Sequence, residues 1–83
     1  MDEREDAVLV ELARRGEKEA FGVLIGRYHG MAERVAMGMV SQIELARDLA
    51  QEAMLQAYLS LGSLRDDRRF QSWLYGIVLN VCR

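Results

Sequence analysis

The sequence predicts an all-α fold, a compact bundle of four helices in one domain that spans residues 1–83. The chain has no proline, and it is rich in residues that favour helices, such as alanine, leucine, glutamate and arginine. Apolar residues recur at helical spacing in four segments, and short breaks that are mostly polar or glycine-containing separate these segments. A chain of 83 residues that is 51% hydrophobic can build one small core but not two.

The first two helices are predicted over residues 3–15 and 17–39. Acidic residues open the first segment and Arg14 and Arg15 close it, which is the charge order that a helix dipole favours. Gly16 then provides a helix stop. The apolar face of the second helix is predicted to comprise Phe21, Leu24, Ile25, Tyr28, Ala32, Val35 and Met39.

Three glycines lie four residues apart on the second helix, and we call Gly22, Gly26 and Gly30 the glycine strip. Each glycine costs about 1 kcal/mol of helix stability relative to alanine. The strip could allow close approach of a partner, or it could be a tolerated surface, and we favour the second interpretation. His29 beside it is expected to be a surface residue.

The third helix is predicted over residues 42–61, with Ser41 to Glu44 as a capping box and Gly62 as the stop. One face carries only small or apolar residues: Ala46, Leu49, Ala50, Ala53, Ala57 and Leu61. The opposite face, which we call the outer stripe, comprises Leu45, Asp48, Glu52, Leu55 and Leu59, with Gln51 at its border.

Burying both faces of this helix would strand two carboxylates in the core. We therefore expect the outer stripe to face solvent and to be apolar enough to bind another protein. The alternative is a helix with two core faces whose acidic residues lie at the margin.

The fourth helix is predicted over residues 69–83, after a short charged loop. Phe70, Trp73, Leu74, Ile77 and Val81 share one face, and no helix-ending signal follows. We expect this helix to continue beyond Arg83.

Composition argues against several functional classes. Cys82 is the only cysteine and His29 the only histidine, so an internal disulfide, a metal site or a catalytic triad lacks partners. Asp48 and Glu52 lie one helical turn apart without a convergent histidine, which gives weak support for a hydrolase. We expect no cofactor, no metal, no small-molecule substrate and no enzymatic activity.

Hydropathy and charge indicate where the protein acts. No apolar run approaches the ~20 residues that span a bilayer, and the N-terminus is acidic, so we expect a cytoplasmic protein with no membrane partner. Net charge is −2, but residues 61–83 carry four basic and two acidic side chains. If the protein contacts nucleic acid, we therefore expect the contact in this last third.

The motifs of the second half resemble the second conserved region of bacterial sigma factors, especially the extracytoplasmic-function kind. The match is carried by ARDLAQE at 46–52, AY at 57–58, LRD at 64–66 and RFQSWLYGI at 69–77, together with Asn80. The N-terminal pattern from Leu9 to Tyr28 agrees, so the likeness covers nearly the whole chain.

The resemblance implies docking on the coiled-coil clamp helices of the RNA polymerase β′ subunit. At matching positions, the contacts would come from Asp48, Gln51, Glu52 and Leu55. It also implies an anti-sigma protein that holds the factor inactive. Met54 and Tyr58 are expected to be core residues.

The resemblance further implies recognition and melting of the promoter −10 element. The matching positions are Leu64, Arg65 and Asp66 in the base-capturing loop and Asn80 on the fourth helix, while Arg68 and Arg69 are placed to hold the phosphate backbone. The alternative is that residues 65–69 form a self-neutralising, solvated loop, and Phe70 and Trp73 are most simply core residues.

The chain also departs from the family pattern. A charged extension past Asn80 and a second DNA-binding domain are usual in the family, but neither lies within these 83 residues. The paired tryptophans of housekeeping sigma factors correspond to Gly76 and Ile77. We expect the 83 residues alone to bind promoter DNA weakly. The other hypothesis is a helical protein-interaction module that does not bind DNA.

Overall fold

The computed structural model describes residues 2–83 and confirms the all-α prediction. It contains four helices, α1 (Asp6–Arg14), α2 (Lys18–Met39), α3 (Ile43–Leu59) and α4 (Phe70–Cys82). Two 3-10 turns, Leu61–Ser63 and Asp67–Arg69, lie between α3 and α4. The long helix α2 packs against each of the other three, and α3 also packs against α4.

The small face of α3 forms the centre of the core. Its alanines are fully buried: Ala46, Ala50, Ala53 and Ala57. Side chains this short let α2 and α4 approach α3 closely. Phe70 at the start of α4 is also fully buried, and its ring meets Phe21 of α2 edge to face, with centroids 6.4 Å apart.

The predicted core face of α4 is confirmed at Phe70 and Leu74, but its centre lies closer to Val78 than to Ile77. Phe70, Leu74 and Val78 are buried at intervals of four residues, whereas Trp73 and Ile77 are only half-buried. Val78 was not predicted to be a core residue. On α2 the predicted face is confirmed for most positions, but Met39, in its last turn, is exposed.

Two predicted signals at the ends of α3 are wrong. The helix begins at Ile43 after Gln42, and no side chain caps it, so the capping box from Ser41 to Glu44 does not form. The helix ends at Leu59, before Gly62. The backbone leaves the helical region at Ser60 (φ −108°, ψ 15°), whose hydroxyl donates to the Gln56 carbonyl (2.6 Å), and the chain then tightens into the first 3-10 turn.

The predicted stop after α1 is confirmed, since Gly16 has a φ of 99°, in the left-handed region that glycine tolerates. A polar cluster ties α1 to α2. The Asp6 carboxylate accepts hydrogen bonds from Arg27 (2.8 Å) and from the Tyr28 hydroxyl. The pKa of Tyr28 is raised to about 12, mainly by burial and secondly by this hydrogen bond to Asp6.

The glycine strip lies on the surface. A Cβ placed on Gly22 or Gly26 would meet no atom of the described chain within 4 Å, and at Gly30 it would meet only the side chain of Arg34. The strip therefore does not serve helix packing within the domain.

We predict that Gly22→Ala and Gly26→Ala each raise the free energy of unfolding by roughly 0.5–1 kcal/mol, because alanine restricts the unfolded chain and fits the open surface. Urea denaturation followed by circular dichroism measures this change. Gly16→Ala is the control, and it should destabilise the domain because alanine is strained at a φ of 99°. A loss of stability at Gly22 and Gly26 would contradict the open-surface interpretation.

Candidate functional site

The outer stripe of α3 faces solvent, as the sequence predicted. Leu55 and Leu59 are 53% and 74% exposed, and Asp48, Gln51 and Glu52 are also exposed. None of the ion pairs among residues 2–83 includes Asp48 or Glu52. The stripe thus presents leucines and uncompensated carboxylates on one rigid helical face.

Two neighbours of the stripe differ in burial. Met54 is buried, which confirms its predicted place in the core. Tyr58 is 41% exposed, so the prediction that it is a core residue is only partly met. Its ring packs edge-on against Phe21, with centroids 5.1 Å apart, and leaves the other side of the ring at the surface.

The loop that joins α3 to α4 contains most of the predicted DNA-binding positions. The Leu64 side chain is only 4% exposed, so it anchors the loop to the core and leaves little surface for a ligand. Arg65 is exposed and takes part in none of the ion pairs among residues 2–83.

One acidic residue of the loop, Asp66, pairs with two of its arginines. The Asp66 carboxylate accepts hydrogen bonds from the backbone N–H (3.0 Å) and Nε (3.1 Å) of Arg68, and it lies 3.7 Å from Nε of Arg69. The hydrogen bond from the Arg68 side chain is the main cause that lowers the pKa of Asp66. The alternative of a self-neutralising loop is met in part, because Asp66 pairs with Arg68 and Arg69, whereas Asp67 pairs with Arg14 of α1.

Arg14 of α1, which no sequence pattern placed at this site, also contacts the loop. Its guanidinium donates to the backbone carbonyl of Leu64 and, from Nε, to Oδ1 of Asp67 (3.1 Å). Because about fifty residues separate these partners, no local spacing rule could have predicted the contact.

An open groove lies beside the start of α4, and we call it the basic groove. Its lining combines two guanidinium groups with polar and apolar side chains: Met31, Arg68, Arg69, Gln71, Ser72 and Tyr75. Arginines can bind phosphates, and an exposed tyrosine ring can stack on a base. Arg68 and Arg69, which are adjacent in the sequence, both line this groove.

Asn80 lies farther along α4, on the same polar strip as Ser72. Eight residues of helix separate the two, which is about 12 Å at 1.5 Å per residue. Its side chain is exposed, and it accepts a weak hydrogen bond from Arg83 (3.4 Å). An extended single strand that crosses the basic groove could reach this amide, whereas a single nucleotide could not.

Other kinds of site find no support in the part of the chain that the structure describes. Over residues 2–83, no three histidine, cysteine, aspartate or glutamate side chains are placed to hold a metal ion. No helix within this range is both long and apolar enough to cross a bilayer.

The lowered pKa of Asp66 leads to a prediction. The carboxylate should titrate below the ordinary aspartate value of about 3.9, so its contribution to loop order is present above that value and is lost as pH falls through the lowered pKa. Arg68→Ala should move the pKa of Asp66 back towards the ordinary value, as measured by NMR titration of the side-chain carboxyl. Arg65→Ala, the control, should leave it unchanged; an equal effect of both substitutions would contradict the assigned pairing.

The chain is similar to a known protein family and to several of its members. Residues 24–83 match the model of the sigma-70 region 2 family. The chain is 36% identical over 83 residues to the RNA polymerase sigma-H factor of Pseudomonas aeruginosa, covering 100% of this chain and 43% of that protein. It is 40% identical over 80 residues to the ECF RNA polymerase sigma factor SigM of Mycobacterium tuberculosis, covering 96% and 41%.

The chain is also 36% identical over 78 residues to the ECF RNA polymerase sigma-E factor of Escherichia coli, covering 94% of this chain and 40% of that protein. An NMR structure of an engineered region 2 of sigmaE in complex with GTAAAA superimposes with a TM-score of 0.89 at 35% identity, covering 99% of this chain and 86% of that one. The chain spans about two fifths of the length of its curated relatives, at 40–43%. It belongs to the sigma-70 region 2 family.

Proposed function

We propose that this chain is the part of an extracytoplasmic-function sigma factor that docks on RNA polymerase through α3 and recognises the promoter −10 element through the α3–α4 loop and α4. The observation that carries the proposal is the outer stripe, an exposed face of leucines and of carboxylates that form no ion pair within residues 2–83, on a member of this family. The function is binding in the cytoplasm, where the polymerase acts, and involves no cofactor or catalysis.

Docking would be a helix-on-helix contact with the clamp helices of the β′ subunit. Fully burying an exposed leucine contributes roughly 1.5–3 kcal/mol, and Leu55, which is 53% exposed, could supply about half of that amount. Asp48 and Glu52 would meet basic groups on the partner, which speeds association and fixes the register. Gln51 at the border would add an amide contact.

Recognition of DNA would use the loop and the basic groove together. The sigmaE region 2 neighbour was solved in complex with GTAAAA, which supports nucleic acid as a ligand of this domain. Phosphates would replace Asp66 as the partner of Arg68 and Arg69, and each such contact makes binding more dependent on salt. Melting would then follow from capture of unpaired bases, which stack on exposed side chains such as Tyr75.

The remaining predicted residues have distinct roles in this proposal. Leu64 would act through its buried side chain by fixing the loop, and Arg65 and Asp66 would face the DNA. Asn80 would read a base edge with its amide. An anti-sigma protein would inhibit the factor by covering the outer stripe.

We predict that Asp48→Arg weakens binding to isolated β′ clamp helices by at least about tenfold, because truncating or reversing a desolvated charge costs roughly 2–5 kcal/mol. Leu55→Ala should weaken binding as well, since it removes apolar contact area. A pull-down or calorimetric titration measures the affinity, and circular dichroism verifies that helicity is retained.

Glu3→Arg is the matched control, because it makes the same change of charge at an exposed position outside the helices. Its affinity should stay close to that of the wild type. Equal losses of affinity for Asp48→Arg and Glu3→Arg would mean that net charge, and not the position of Asp48, causes the effect. If the wild type does not bind the clamp helices at all, the protein-interaction module without DNA binding becomes the better account.

A further inference from the structure

Arg14 links the end of α1 to the loop that precedes α4. Its guanidinium donates to the Leu64 carbonyl, and its closest approach to the Asp67 carboxylate is 2.9 Å. The side chains of Arg14 and Asp67 are 29% and 31% exposed, so water competes only partly for these contacts. The charge-assisted bond to the Leu64 carbonyl is partly buried, and such bonds are stronger than those of exposed ion pairs.

The two contacts of Arg14 lie on either side of Arg65 and Asp66. Before this dipeptide, Leu64 is held by its buried side chain and by its carbonyl. After it, Asp67 is held by its carboxylate and opens the 3-10 turn that presents Arg68 to the basic groove. Arg14 thus fixes both ends of the segment whose side chains face solvent.

Arg15 offers a natural comparison on the same helix end. Its side chain is 69% exposed and pairs with Glu11 one turn earlier, at 3.0 Å. The two arginines carry the same charge and are adjacent in sequence, but only Arg14 contacts the loop.

We propose that Arg14 is a positioning residue, which holds the α3–α4 loop in its DNA-binding shape without contacting DNA itself. This inference rests on the proposed function. Its physical basis is conformational entropy: without Arg14, the loop backbone must be ordered when DNA binds. Ordering the backbone of one residue corresponds to about a tenfold change in an equilibrium constant.

The test uses the complete sigma factor that contains this chain, assembled with core polymerase. The probe is the single-stranded DNA hexamer that the wild-type complex enriches most from a random pool. Arg14→Ala and Asp67→Ala should each weaken binding of this hexamer by about tenfold. Arg15→Ala should weaken it by less than about twofold, because it removes the same charge without freeing the loop.

Two readouts separate positioning from simple charge. Asp67→Ala removes a negative charge beside the DNA. If Arg14 bound phosphate directly, this substitution would free it from Asp67, and the hexamer would bind more tightly. A positioning role requires weaker binding instead. Likewise, the slope of log affinity against log salt concentration should be unchanged in Arg14→Ala, whereas loss of a phosphate contact to a single strand would reduce its magnitude by about 0.7.

Helicity and polymerase binding show whether each variant folds, and Asp67→Ala tests the inference even if Arg14→Ala does not fold. The positioning role is overturned if Arg14→Ala binds the hexamer as well as Arg15→Ala does, or if Asp67→Ala binds it more tightly than the wild type. If the wild-type complex enriches no hexamer, the proposed DNA-binding function fails and the role of Arg14 fails with it.

Discussion

The packing of α2 and α4 against the alanines of α3 determines how the rest of the domain is arranged. Ala50 and Ala53 are fully buried, and no longer side chain would fit without moving the neighbouring helices. Because a helix has 3.6 residues per turn, a small inward face fixes which residues point outward. The exposure of Asp48 and Leu55 is therefore a consequence of core packing.

The same core connects the two proposed binding surfaces. Leu64 and Phe70 are buried at the two ends of the loop segment, so the arginines between them are carried at the rim of the domain. Arg14 adds a third tether from α1. If the polymerase binds α3, the loop and the basic groove therefore have a fixed orientation relative to it.

Local patterns predicted most of the fold and the outer stripe, since helical spacing alone separates the alanines from the leucines and acids. They failed where several weak local signals competed, as at Ser41 and Gly62, where the spacing fits a cap or a stop but the backbone forms neither. The bond from Arg14 to Leu64 spans fifty residues, and the contribution of Met31 to the groove depends on helix packing, so neither leaves a periodic signal. The polymerase and DNA contacts themselves stay predictions.

The most direct measurement is an NMR titration of the isotope-labelled domain with the β′ clamp helices. The account predicts that the largest chemical-shift changes follow the outer stripe, at Asp48, Gln51, Glu52 and Leu55, while the amides of the glycine strip hardly move. Changes centred on Gly22 and Gly26, with the outer stripe unaffected, would contradict the claim that the exposed side of α3 is the docking surface.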